Sequence, residues 1–376
     1  MIPLKMHKPL LTGDPAPRAT YHTGTGFHLQ RLPGLREGLL VQLAGLGDLI
    51  MAFPAIHSLV AACPQTRWAL LARPGYGELL TDRVQQVFEI PWPPRISTVP
   101  RILKGIASVR QRHFDAAVHL YGTGSVAGAV AMRLLFKSIN PRLSIGRAGL
   151  GWAGRWSCFD VSWEEPPAGS RHEVDLNAGL VSHLGIPLIH REPSLTVRVD
   201  AAERVTKLLA AAAPWRNRFV AIFPGGARVT RHWPITRYEA VASRLSVEGF
   251  GICVIGGRAE ARAGQLITKS GMQTLNLAGR LSLHELAALL SKASLYIGND
   301  SGPTHLAAAL GVPCIALFGP GDVERFAPRG NGVIRILQQK VHCSPCYRTW
   351  CSHHTCMRSL TFESVLATAM ELLECR

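Results

Sequence analysis

Apolar residues fall into two kinds of run along this chain. Short continuous runs at Leu39–Leu43, Trp68–Leu71, Ala116–Leu120, Phe219–Phe223, Gly251–Ile255, Leu295–Ile297 and Cys314–Phe318 predict strands buried on both faces. Between them lie longer stretches with helical spacing, around Pro54–Ala62, Val126–Phe136, His172–Leu184, Ala201–Ala213, Leu283–Leu290 and Pro303–Leu310. The last has Pro303 in its first turn and Gly311 just past its end, the residues that start and stop a helix most readily. Strand alternating with helix predicts an α/β chain with doubly wound sheets. The alternation restarts after Pro193, which divides the chain into Rossmann-like domains at 37–195 and 196–360. Residues 1–36, rich in Pro and Gly and without periodicity, read as a poorly ordered extension, and 361–376 as a C-terminal helix.

Composition narrows this picture. At 376 residues, with 47% hydrophobic and 18% charged residues, the chain is long enough for two cores and is globular rather than disordered. The 41 Lys and Arg against 25 Asp and Glu give a net charge of +16, which favours anionic partners. The basic residues, read as scattered, form no long run and do not interleave with aromatics, so no nucleic-acid partner is expected. The N-terminus lacks an apolar signal core, and the uncharged stretch Ser301–Gly321 is broken by Pro303, Pro313 and Pro320. A cytoplasmic protein is therefore expected, and its nine cysteines should be reduced or metal-bound rather than disulfide-linked.

The candidate chemistry lies where strands end. Asp48 follows the first strand and opens a helix; it reads either as a helix cap or as a general base facing a cleft. In the segment Phe223–Pro234, Gly225 and Gly226 let backbone approach a ligand, Thr230 offers a hydroxyl, and Arg231 a guanidinium suited to phosphate. Glu260, after the Gly256-Gly257 turn, is placed to hold a ribose or simply begins a helix. Asp300, Ser301 and Gly302 open the helix that contains His305, and a diphosphate suits such a helix start. Cys343, Cys346, Cys351 and Cys356 have a spacing that suits a structural Zn or Fe site, the alternative being four packed thiols.

These motifs together resemble glycosyltransferase family 9, the lipopolysaccharide heptosyltransferases. The resemblance spans roughly residues 38–370. It is carried by GLGDLIMAFPAIHSL (Gly45–Leu59), by FPGGARVTRHWP (Phe223–Pro234), by NDSGPTHLAAALGVPCIALFGP (Asn299–Pro320) and by the cysteine-rich CSPCYRTWCSHHTCM. It implies a GT-B fold, two Rossmann-like domains facing a cleft, with the nucleotide-sugar donor held mainly by the C-terminal one. It implies inverting transfer, without a catalytic metal, from ADP-L-glycero-D-manno-heptose to the lipopolysaccharide inner core. Asp48 would be the base and Arg231, where the family usually has Lys, would neutralise the leaving diphosphate. Asp300, Ser301, Gly302 and His305 would bind the diphosphate and Glu260 the ribose. The acceptor would place the enzyme peripherally on the inner face of the inner membrane, with Arg133, Lys137, Arg142 and Arg147 offered to its anionic groups. The competing expectations are a transferase of the same fold acting on a protein or another glycan, a nucleotide-sugar epimerase, and a nucleotide-binding regulator without turnover.

Overall fold

The computed structural model describes residues 35–122, 124–148, 159–165, 171–212, 215, 218–268 and 273–374. Nearly all of the N-terminal extension, residues 1–34, lies outside them.

The first half is a six-stranded parallel sheet. Its strands are β1 (Glu37–Gln42), β2 (Arg67–Ala72), β3 (Gln86–Glu89), β4 (Ala116–His119), β5 (Leu143–Arg147) and β6 (Val161–Trp163), in the spatial order β3-β2-β1-β4-β5-β6. The apolar run of β1 is central and buried, paired in parallel with β2 on one side and β4 on the other. The crossovers carry α1 (Leu46–Met51), α2 (Phe53–Ala62), α3 (Val99–Arg110) and α4 (Val126–Ile139), and α5 (Glu173–His183) follows β6. Ser125 caps α4 by accepting from the Gly128 N–H, and Asn140 ends it in a left-handed conformation.

After α6 (Val199–Ala212) the second half repeats the plan. Its sheet contains β7 (Phe219–Phe223), β8 (Gly251–Val254), β9 (Thr274–Asn276), β10 (Leu295–Asn299), β11 (Cys314–Phe318) and β12 (Ile334–Gln338), ordered β12-β11-β10-β7-β8-β9. Counted from β7, this is the same 3-2-1-4-5-6 order, the Rossmann arrangement. The helices are α7 (Ile235–Val247), α8 (Ala261–Ile267), α9 (Leu283–Leu290), α10 (Gly302–Ala309), α11 (Val323–Phe326), α12 (Thr355–Arg358) and α13 (Phe362–Glu374). The fold is thus the expected α/β GT-B architecture of two doubly wound sheets.

The two halves are not loosely tethered. One apolar cluster runs from Leu40, Ile50 and Ile56 of the first half through Leu209 to Leu289, Leu306 and Cys314 of the second. Each half has a further core on its outer face, one under α3 and α4, the other under α7 and α13. At the seam α1 meets α10 with no space between. A Cβ on Gly47 would lie 2.7 Å from the His305 ring, and one on Gly302 would lie 2.7 Å from Leu46. Glycine is needed at both places for backbone to approach this closely.

Candidate active site

In each sheet the strand order reverses at the centre, between β1 and β4 and between β7 and β10, and a crevice opens beyond the carboxyl ends of those strands. The loops leaving β1, β4, β7 and β10 all line one cleft of about 580 Å³ between the halves. Asp48 enters it from the loop after β1 and Tyr121 from that after β4. Gly226, Ala227, Arg228 and Arg231 enter after β7, and Asp300, Ser301 and Gly302 after β10.

Asp48 sits both at the start of a helix and on the wall of the cleft. It is the third residue of α1, and its Oδ2 accepts the Gly45 N–H at 2.8 Å, closing the helix start. It also lines the cleft. Burial pushes its pKa up to about 6, opposed by the Gly45 hydrogen bond and assisted by the negative charges of Glu173 and Asp300. A carboxyl poised there is ionised at neutral pH and basic enough to accept a hydroxyl proton.

Across the cleft, Arg231 pairs with the nearly buried Asp300, Nη1 to Oδ2 at 3.0 Å. The alignment is too poor for a hydrogen bond, so Oδ2 is held by charge alone. Burial raises the Asp300 pKa, and Arg231 and Arg228 oppose the rise. Ser301 precedes α10 without capping it, because its hydroxyl donates to the Asn299 carbonyl at 2.9 Å. The start of α10 therefore faces the cleft without a side-chain cap, a favourable place for an anion. His305 lies under Gly47, and burial lowers its pKa to about 3, so it is a neutral imidazole at pH 7. It brings hydrogen-bonding capacity rather than charge.

Glu260 lines the cleft and accepts the Gly257 N–H at 2.8 Å. Its side chain lies against Gly225 and Gly256, where a Cβ would collide with it. Gly225 thus makes room for Glu260, while Gly226, at φ 146°, lines the cleft itself. Thr230 turns away from the cleft. Its hydroxyl donates to the Arg348 carbonyl at 3.1 Å, and its own carbonyl lies 2.7 Å from His354 Nε2. The cysteine-rich loop therefore braces the turn that carries Arg231.

The four cysteines of the expected metal centre come to one place in the fold. Cys343, Cys346, Cys351 and Cys356 line one cavity of about 20 Å³ with His353 and His354. Yet among the described residues no three His, Cys, Asp or Glu side chains are close enough to hold a metal ion. The local turns use these groups otherwise. Cys346 accepts from Arg348 N at 3.5 Å, Cys351 accepts from His354 N at 3.3 Å, and Cys356 is packed beneath Gly319.

The basic residues offered to an acceptor also separate. Arg147 is fully buried, bonded to Glu165, to Glu173 Oε2 at 2.6 Å and to Asn177 at 3.0 Å. Arg142 pairs with Asp115 at the start of β4, at the opposite end of the sheet from the cleft. Arg133 and Lys137 stay exposed on α4.

Sequence reasoning did not single out several groups at the seam. Glu173 reaches from Arg147 to Arg325 of the second half, Oε1 to Nε at 2.7 Å, and Asp175 holds Arg329 with two bonds of 2.8 Å. Asn299, wholly buried, donates to the Pro224 and Gly225 carbonyls at 2.9 Å and accepts from Trp233 N and the Tyr238 hydroxyl, fixing the loop after β7 to the end of β10. Its place between a strand and Asp300 was a usable signal. Nothing local marks Glu173 or Arg325, which are 152 residues apart.

Residues 102–356 match the family model described as glycosyltransferase family 9 (heptosyltransferase). The chain belongs to glycosyltransferase family 9. It is 24% identical over 304 residues to a lipopolysaccharide heptosyltransferase 3 of Escherichia coli, covering 77% of this chain and 85% of that protein. It is 26% identical over 326 residues to lipopolysaccharide heptosyltransferase 1 of Pseudomonas aeruginosa, covering 84% and 87%. Its fold is similar to the solved E. coli ADP-heptose lipopolysaccharide heptosyltransferase II, with TM-score 0.70 and 21% identity over 90% of this chain and 98% of that one. As a family 9 member it is a glycosyltransferase, and the cleft between its halves is where that chemistry is sought.

Proposed function

We propose that this glycosyltransferase transfers heptose from ADP-L-glycero-D-manno-heptose to the lipopolysaccharide inner core, with inversion, and that Asp48 is the general base. The observation that carries the proposal is the meeting, in one cleft, of a carboxyl with a raised pKa from the first half and, from the second, Arg231 beside a helix start without a side-chain cap. The names of the relatives supply the sugar and the acceptor.

In this reading the donor's diphosphate lies at the open start of α10, within reach of Arg231, and Glu260 meets the ribose. Asp48 accepts the proton of an acceptor hydroxyl as its oxygen bonds to the anomeric carbon. The bond from that carbon to the diphosphate breaks, and the charge gathering on ADP is met by Arg231 and the Ser301 and Gly302 end of α10. Asp300 keeps Arg231 aimed, and His305 serves as a neutral partner. No step calls on a metal ion. Among the described residues no helix is long and apolar enough to cross a membrane. We place the reaction on the cytoplasmic face of the inner membrane, where nucleotide sugar and nascent acceptor meet.

The test is ADP release from ADP-heptose with and without a heptose-deficient lipopolysaccharide acceptor, for wild type and Asp48→Asn. Acceptor-dependent release by wild type alone supports the reading. Release that ignores the acceptor, or an asparagine variant as fast as wild type, removes the acceptor or the base from it.

A further inference from the structure

Between Ile90 and Phe159 the chain carries ten Lys and Arg and a single acidic residue, Asp115. The net positive charge is thus concentrated rather than scattered. Two adjacent helices, α3 and α4, hold much of it, packed side by side on the outer face of the first sheet over one core. Their inward positions are Ile102 and Val109 on α3 and Met132, Leu135, Phe136 and Ile139 on α4. Their outward positions are unusual for a surface. Ile96, in the turn that enters α3, is 95% exposed, and Leu103 on α3 and Leu134 on α4 are 61% exposed, with Val99 and Val126 beside them. These are five of the twelve large apolar side chains found exposed among the described residues, and the other seven are scattered. Around the five stand Arg95, Arg101, Lys104, Arg110, Arg133 and Lys137, all exposed and none of them paired with a carboxylate among the described residues.

We propose that the outward faces of the Ile96 turn, α3 and α4 form a docking surface for an anionic lipid bilayer. Apolar side chains ringed by unpaired cations suit the boundary between acyl chains and acidic headgroups. These two helices carry no carboxylate, so the face is of one sign and complements a continuous anionic surface. Topology adds a direction. Ile96 follows β3 and Val126 follows β4, so the apolar stripe starts at the carboxyl ends of the strands, the edge on which the cleft opens. A docked molecule would thus bring its cleft mouth to the headgroup layer, where a lipid-anchored acceptor would be presented. That last consequence rests on the reaction proposed above; the surface itself does not.

The experiment is co-sedimentation of the full chain with vesicles of phosphatidylethanolamine and phosphatidylglycerol, and with phosphatidylcholine vesicles, at low and high salt. Two variants accompany wild type: Ile96→Ser/Leu103→Ser/Leu134→Ser and Arg101→Glu/Lys104→Glu, all at exposed positions. Wild type is expected to bind the anionic vesicles and release them in high salt. Each variant is expected to bind at least about tenfold more weakly, with an unaltered far-ultraviolet spectrum and melting temperature. Equal binding to both vesicle types, or variants that bind like wild type, would overturn the proposal. So would a wild-type dimer that the serine variant dissociates, since the stripe would then be an interface between copies. Because vesicle binding needs no turnover, it stands or falls separately from the transfer reaction.

Discussion

Replacing Asp48 by asparagine should abolish transfer and at the same time make the protein more stable. Asparagine keeps an oxygen for the Gly45 N–H and removes a charge that burial disfavours. The Asp48 pKa rises from 3.8 to about 6 on folding, and two such units correspond to about 3 kcal/mol. The side chain borders an open cleft, so screening by solvent brings this down to about 1–2 kcal/mol. The pH dependence follows from the direction of the shift. Below about pH 4 the carboxyl is neutral in both states and costs nothing. As pH rises, the unfolded chain loses its proton first, so wild-type stability falls until the folded carboxyl ionises near pH 6, and the penalty is constant above that. The asparagine variant should therefore gain its full advantage above pH 6, about half of it at pH 5, and none below pH 4. Asp48→Ala also loses the cap, worth about 1 kcal/mol, so it should be close to wild type at pH 8 and less stable at pH 4. Urea unfolding of the three proteins at pH 4, 5 and 8 measures this, beside a pH profile of the wild-type rate, which should fall away below about pH 6. An asparagine variant no more stable at pH 8 than at pH 4, relative to wild type, would refute the claim that the folded state holds this carboxyl at a cost.

Three further outcomes are expected. Arg231→Ala should raise the donor KM and lower kcat/KM by about 100- to 1000-fold in steady-state assays, because the leaving diphosphate loses its cation; an unchanged value would remove Arg231 from the site. Gly47→Val places methyl groups against the His305 ring, which a single Cβ already approaches to 2.7 Å. It should cost about 1–3 kcal/mol in urea unfolding and slow turnover by wedging the halves apart, and normal turnover would mean the seam need not close. Arg325→Met leaves Glu173 with one arginine instead of two and should destabilise by about 3 kcal/mol. Arg329→Met, at the more exposed pair with Asp175, should cost under about 1 kcal/mol in the same measurement.

The sheet centres were legible because they are buried on both faces. Phe219–Phe223 and Cys314–Phe318 appear in the structure with the bounds their apolar runs suggest. Helices with punctuated ends were legible as well: Leu283–Leu290 has a Ser282 and Glu285 capping box, and α10 has Pro303 and Gly311. The peripheral strands β3, β6, β9 and β12 were not. They are short or half exposed, and their hydrogen-bonding neighbours rather than their composition make them strands. At the site, Asp48, Arg231, Glu260 and Asp300 could be picked out because each follows a strand, and strand ends in such folds face the cleft. Thr230 could not be assigned from its own loop, since the carbonyl that takes its hydroxyl lies 118 residues away. Arg147 read as a surface cation for a related reason: its buried partners Glu173 and Asn177 are 26 and 30 residues along the chain.

The bridge from Glu173 to Arg325 also sets a timetable for synthesis. Translation delivers Glu173 152 residues before Arg325. At about 5–20 residues per second the first half waits roughly 8–30 s for its partner. For most of that interval the inward side of α1 lacks α10, which comes shortly before Arg325, and Glu173 has Arg147 alone. Until the second half is made, the first half lacks the apolar surface that completes their shared core. The seam can shut only when α10 and Arg325 have both been made.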